Sequence, residues 1–139
     1  MKAHRVEGLE PEGPLRDSAA LIVRTRLGEL RGFEAQALEP SADAAQHEMR
    51  IAAKRLRYVL EIFGGCFPAQ APAAQKTAKR LQGALGDLHD CDVMLARAGG
   101  IESLAALLRE RRERLFTRFC ALCEAESARG TWLALEDAL

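Results

Sequence analysis

Apolar residues recur along the chain at the three- and four-residue spacing of one helix face, in four long runs separated by breakers. The first run, about Leu15 to Leu38, sets Leu15, Ala19, Val23, Leu27, Leu30, Phe33 and Ala37 on one side, interrupted by Arg26, and ends at Pro40-Ser41. The second starts at Ser41 or Asp43, either of which can act as N-cap. It runs to Phe63 with Met49, Ala52, Ala53, Leu56, Val59, Leu60 and Phe63 on its apolar side. A Gly64-Gly65 loop reaching Pro72 leads to the third run, about Ala73 to Arg97, which aligns Ala78, Leu81, Leu85, Leu88 and Leu95. Gly99-Gly100 separates it from the fourth, Ile101 to about Arg129, which offers Leu104, Leu107, Leu108, Leu115, Phe119 and Leu122 and is closed by Gly130. A short last turn around Trp132 and Leu135 packs as a lid. Runs of this length make helices roughly 30 to 44 Å long, matched well enough to lie side by side. The pattern predicts an all-α antiparallel four-helix bundle with a short C-terminal helical turn over residues 15–139, after a flexible tail over residues 1–14.

Composition agrees with the pattern. At 139 residues the chain suits one domain, and aromatics at 5% beside abundant Ala, Leu, Arg and Glu favour helix over sheet. The first 14 residues are polar, and no stretch approaches the roughly 18 uninterrupted apolar residues of a membrane span, so the expected location is the cytoplasm. Cys66, Cys91, Cys120 and Cys123 are read as reduced, because a chain this rich in apolar residues needs no disulfide to hold a core.

Charge changes the picture. The formal net charge is zero, but residues 47–80 carry 7 basic and 2 acidic side chains, while both flanking segments are net acidic. A basic segment between acidic flanks places a positive patch on a neutral molecule, which attracts polyanions whatever the total charge. On a helical wheel with His47 at the origin, Arg50, Lys54, Arg57 and Tyr58 fall within about 100° of arc, opposite Leu56. Crowding cations at i,i+3 and i,i+4 costs a few tenths of a kcal/mol per pair, about what a bound polyanion would relieve. The plain alternative is a solvated surface in which Glu61 pairs with Arg57. Lys76, Lys79 and Arg80 form a second basic group on the third helix, with Gly83 continuing their face, and Arg24 and Arg31 are outer candidates.

His47-x-x-Arg50-x-x-x-Lys54-Arg55-Leu56-Arg57-Tyr58, followed by Leu81-Gln82-Gly83-Ala84-Leu85-Gly86-Asp87-Leu88-His89-Asp90-Cys91-Asp92-Val93, resembles the conserved histidine α-helical domain, CHAD, over about Ser18 to Trp132. The resemblance implies helical bundles whose basic surface binds inorganic polyphosphate. On matching positions it implies phosphate-binding roles for His47, Arg50, Lys54, Arg57 and Tyr58, with Lys76, Lys79 and Arg80 beside them. It also implies two four-helix units in tandem, of which this chain resembles the second. Non-catalytic binding of inorganic polyphosphate, in the cytoplasm or on polyphosphate granules, is the expected function, and a homodimer the expected assembly. The alternative is a helical module docking an acidic protein or nucleic acid, against which the scarcity of aromatics counts for single-stranded nucleic acid.

Other signals carry less. Cys120-x-x-Cys123 lies mid-helix without a second pair at ligand spacing and is read as core thiols. His89, Asp90 and Asp92 are read as buried-side hydrogen-bonding groups rather than a metal site, with Arg26 a candidate partner for such an acid. Arg109, Arg111, Arg112 and Arg114, interleaved with Glu110 and Glu113, are read as a solvated face. No Gly-rich phosphate loop and no nucleophile-base pair points to an enzyme, a metal or a cofactor.

Overall fold

The apolar runs become five α-helices in a computed structural model that describes residues 2–139: α1 (Leu15–Ala37), α2 (Asp43–Phe63), α3 (Ala71–Arg97), α4 (Glu102–Arg129) and α5 (Thr131–Ala138), with a 3-10 turn at Gly64–Cys66. The molecule is all-helical, as the periodicity predicts. α1 packs on α2, α2 on α3 and α3 on α4, while α5 lies against α3 and α4. Leu27, Leu56, Leu60, Leu85, Phe119 and Leu135 are fully buried in one shared core.

Helix ends follow local chemistry, with small departures from expectation. α2 is entered from Ala42, not capped by Ser41 or Asp43. Asp43 sits in the first turn, where its carboxylate accepts from the Ala44 N–H at 3.0 Å and is favoured by the positive end of the helix dipole. The α1–α2 turn is closed by the buried Gln46 amide, which donates to the carbonyls of Ala37 (3.2 Å) and Glu39 (3.0 Å). α3 begins at Ala71, two residues early, because Pro72 is tolerated in a first turn whose N–H groups have no intrahelical partner. Gly130, at φ 68°, ends α4 in the left-handed conformation and turns the chain into α5.

The fourth position of the bundle is shared by two helices. Arg112 of α4 donates to the Pro40 carbonyl in the α1–α2 turn at 2.8 Å, so about ten residues of α4 before it, roughly 15 Å of helix, run past that end of the bundle. With the end of α3 they form a projecting hairpin that has its own small apolar cluster of Leu95, Ala98, Ala105 and Leu108. Leu104 and Leu107, expected inside, are 39% and 64% exposed there because neither α1 nor α2 extends far enough to cover them. At the opposite end α4 stops early and α5 fills the space. Trp132 and Leu135 are buried, as expected of a lid, and α1 holds the end of the chain through Arg24 to the Leu139 carbonyl (2.9 Å) and Arg16 to the Ala138 carbonyl (2.8 Å). Leu15, also expected inside, is exposed at the first turn of α1.

Three acids, Glu29 and Glu126 buried and Asp92 half-buried, are tied by partners that periodicity does not reveal. Glu29 on α1 accepts from Arg26 and from the backbone N–H of His4 (2.9 Å) and lies 3.5 Å from Arg55, so the segment before α1 is pinned at His4. Arg26 is therefore the partner of Glu29, not of Asp92. Asp92 is held at 2.5 Å by Arg112, which turns inward from the face read as solvated and also donates to Gln46 Oε1 at 2.6 Å. Arg109 and Arg114 do pair with Glu102 and Glu110 on the exposed side of α4. Glu126 accepts from Thr77 (2.8 Å), Thr131 (3.0 Å) and Arg129 (2.7 Å), joining α3, α4 and α5.

Candidate polyanion site on helices α2 and α3

Burial of Met49, Ala52, Ala53, Leu56 and Leu60 fixes the rotation of α2, and the opposite arc turns toward a neighbouring face of α3. At one end of this seam the rings of His47 and His89 stack with centroids 4.4 Å apart and planes 24° off parallel. Next, the stem of Arg50 crosses α3 at Gly86, where a Cβ would stand 3.8 Å from Arg50 Cδ. Further along, Arg57 Nε donates to Gln82 Oε1 at 2.9 Å, its NH1 donates to Glu61 Oε1 at 2.7 Å, and its guanidinium lies 4.6 Å from the centre of the exposed Tyr58 ring. Lys54 sits between Arg50 and Arg57 on the same arc. Gly83, between the Arg57 and Arg50 contacts, has nothing within 4 Å of the place a Cβ would take, so the floor there is open. Lys79 and Lys76, both exposed, continue the α3 face one and two turns before Gln82.

Seven of the eight expected binding residues thus share one seam, roughly 20 Å long from His89 to Lys76 at 1.5 Å per residue. The eighth, Arg80, turns the other way, with NH1 3.7 Å from the Glu126 carboxylate. Arg24 and Arg31 lie apart as well, on the α5 side of α1, where Arg31 pairs with Glu136 at 2.5 Å.

Charge on the seam is mostly unneutralised. Among the described residues, Arg50, Lys54, Lys76 and Lys79 make no ion pair, whereas Arg57 is paired as the solvated-surface alternative anticipated. Arg50 Nε and His47 Nδ1 are buried and have no hydrogen-bond partner. Leaving a buried donor or acceptor unmatched costs about 1–3 kcal/mol, so each is a place where an acceptor or donor from outside gains more than an ordinary surface contact. Burial, then the proximity of His89 and of the Arg50 guanidinium, lowers the His47 pKa from its usual 6.5, while Glu48 pulls weakly the other way. No cluster of three or more metal-ligating side chains occurs among the described residues.

Residues 2–99 match the CHAD domain. The chain belongs to the CHAD family. No curated protein and no solved structure matches it. The CHAD match starts ahead of Ser18 and stops well before Trp132, so it spans α1 to α3 with the whole seam, while α4 and α5 lie beyond it.

The CHAD seam includes residues that sequence reasoning left out of the site. Gln82, Gly86 and His89 form one i,i+3/i,i+4 row on α3, a spacing visible in the sequence. What the sequence lacks is the axial register that sets this row beside Arg57, Arg50 and His47. Elsewhere, a cleft of about 560 Å³ between α1 and α4 is lined by Glu34, Leu38, Cys120 and Cys123. It does not suit an anion or nucleophilic chemistry, since burial and the nearby Glu34 carboxylate push the Cys123 thiol up to about 12. All four cysteines are free.

Proposed function

We propose that this CHAD protein binds inorganic polyphosphate along the α2–α3 seam without turning it over. The observation that carries the reading is the row of cations, Arg50, Lys54, Lys76 and Lys79, that make no ion pair among the described residues, flanked by buried polar atoms on His47 and Arg50 that lack partners there. An elongated anion with closely spaced negative oxygens matches a row roughly 20 Å long better than a single phosphate does. Arginine forks and lysine ammonium groups would hold those oxygens by charge-assisted hydrogen bonds. Arg57 and Tyr58 form the rim, and Arg80 adds long-range attraction from the α4 side. The reading calls for no cofactor and no metal. The protein acts in the cytoplasm, on free polyphosphate or at its granules, as a homodimer.

Titrating the purified protein with polyphosphate of defined length at two salt concentrations tests this. Binding weakens steeply at the higher salt, because each neutralised phosphate releases a counterion. Single-stranded nucleic acid competes poorly, since among the described residues Tyr58 is the one Phe, Tyr or Trp on the seam and the His47 and His89 rings already stack on each other. Strong displacement by nucleic acid or an acidic peptide would favour the docking-module alternative, and phosphate release in the presence of added divalent metal would make the protein an enzyme.

A further inference from the structure

The stacked imidazoles are the least ordinary feature of the seam. Two histidines from different helices lie 4.4 Å apart, His47 Nδ1 is buried without a partner, and the equally unpartnered Arg50 Nε belongs to the adjacent cation. A surface placed only to look basic has no use for this arrangement: two imidazoles that close repel once both are protonated, and the guanidinium adds to that repulsion. The arrangement becomes favourable when an anion lies across it. A phosphate oxygen beside the pair accepts hydrogen bonds from imidazole N–H groups and from Arg50, and its negative charge removes the penalty for a proton on the pair.

We propose that His89, together with His47 and Arg50, forms a phosphate anchor at the α2 N-terminal end of the seam, and that occupying this anchor takes up a proton on the imidazole pair. The inference rests on the polyanion reading and adds to it a residue, His89, and a dependence on pH. The charged and titratable groups around the pair include the N-terminal amino group, which also lowers the His47 pKa. On α2 they are Asp43 in the first turn, Glu48, Arg50 and Lys54, and on α3 Asp90, exposed beside His89. From α4, Arg112 reaches this level but is engaged by Asp92 and Gln46. In the free protein, burial, His89 and the Arg50 guanidinium disfavour a proton on His47. The bound pair carries a proton shared with the phosphate environment, so affinity rises as pH falls. Lys54, Lys76 and Lys79 supply the part of the binding that does not involve the imidazole pair.

Calorimetric titration with long-chain polyphosphate, whose interior phosphates stay singly charged near neutral pH, reads the coupling directly when run in two buffers of different ionisation enthalpy. The expected result is net proton uptake on binding and an affinity that climbs by up to about tenfold per pH unit for one full proton as pH is lowered. His89→Gln weakens binding and loses most of the uptake, flattening the dependence of affinity on pH, and His47→Asn with His89→Gln abolishes the uptake. NMR titration of the imidazole signals in the wild-type protein, with and without polyphosphate, gives the same answer without any variant, as a rise of the histidine pKa in the complex. Binding with no proton uptake, or uptake unchanged in the double variant, overturns this inference and leaves the polyanion reading intact. Absence of polyphosphate binding at every pH overturns both.

Discussion

His47 shows how one residue reports its surroundings. Burial, His89 and Arg50 lower its pKa in the folded protein, so between that lowered value and 6.5 the unfolded chain binds more protons than the folded one. The stability this histidine contributes is therefore complete above 6.5 and is lost as pH falls from there through the folded-state value. Thermal melts of the free protein from about pH 7.5 to about pH 5 should show the midpoint falling, and His47→Asn should flatten part of that fall. A variant whose midpoint tracks wild type at every pH would show that His47 is not strained. The basic arc containing His47 was readable because helical periodicity assigns each side chain an angle. The neighbours of Glu29, Asp92 and Arg112 were not, because an arginine on a charged face has the same spacing whether it turns outward or reaches across to Pro40 and Asp92.

At the scale of the element, α2 divides its work between two faces, and the division can be tested. Arg50→Ala with Arg57→Ala should lower polyphosphate affinity more than tenfold while the helical circular dichroism is retained, since each charge-assisted hydrogen bond is worth about 1.5–3 kcal/mol and neither side chain lies in the shared core. Leu56→Ala should instead destabilise by about 2–5 kcal/mol, since Leu56 is fully buried, and reduce binding only through unfolding. Melts run beside binding curves separate the two, and a double arginine variant that binds like wild type would remove the seam as the site. The structure adds a refinement. Arg57 is already engaged by Gln82 and Glu61, so Arg50 and Lys54 should account for the larger part of the loss.

For the whole molecule, the offset of α4 has a consequence for assembly. The hairpin past the α1–α2 turn exposes Met94, Ile101, Leu104 and Leu107 together, on a chain whose main core is otherwise well covered. Apolar surface of this kind is what a second copy would cover, and a two-fold pairing would give the dimer a second seam. Light scattering across a wide concentration range should give the mass of two chains, with the dimer fraction rising when polyphosphate is added if assembly and binding are linked by mass action. A single-chain mass under all conditions would leave a monomer with one seam. Leu107→Glu, which places a charge on the hairpin without touching the seam, should return a dimer to single chains.

The order of apolar and polar residues determined by itself that the chain is helical, where its helices start and stop within a residue or two, and that one arc of α2 is basic while the opposite arc is buried. These are local properties, set by a 3.6-residue period, by glycine and proline, and by the cost of burying a charge. Tertiary structure alone decided that α4 overshoots the bundle, that α5 fills the space it leaves, that Arg80 turns to Glu126 rather than to the seam, and that His89 stacks on His47. Each of these depends on how far one helix slides along another. Helical periodicity fixes the rotation of a helix about its axis but not its displacement along that axis, and the displacement is set by the packing of the whole core.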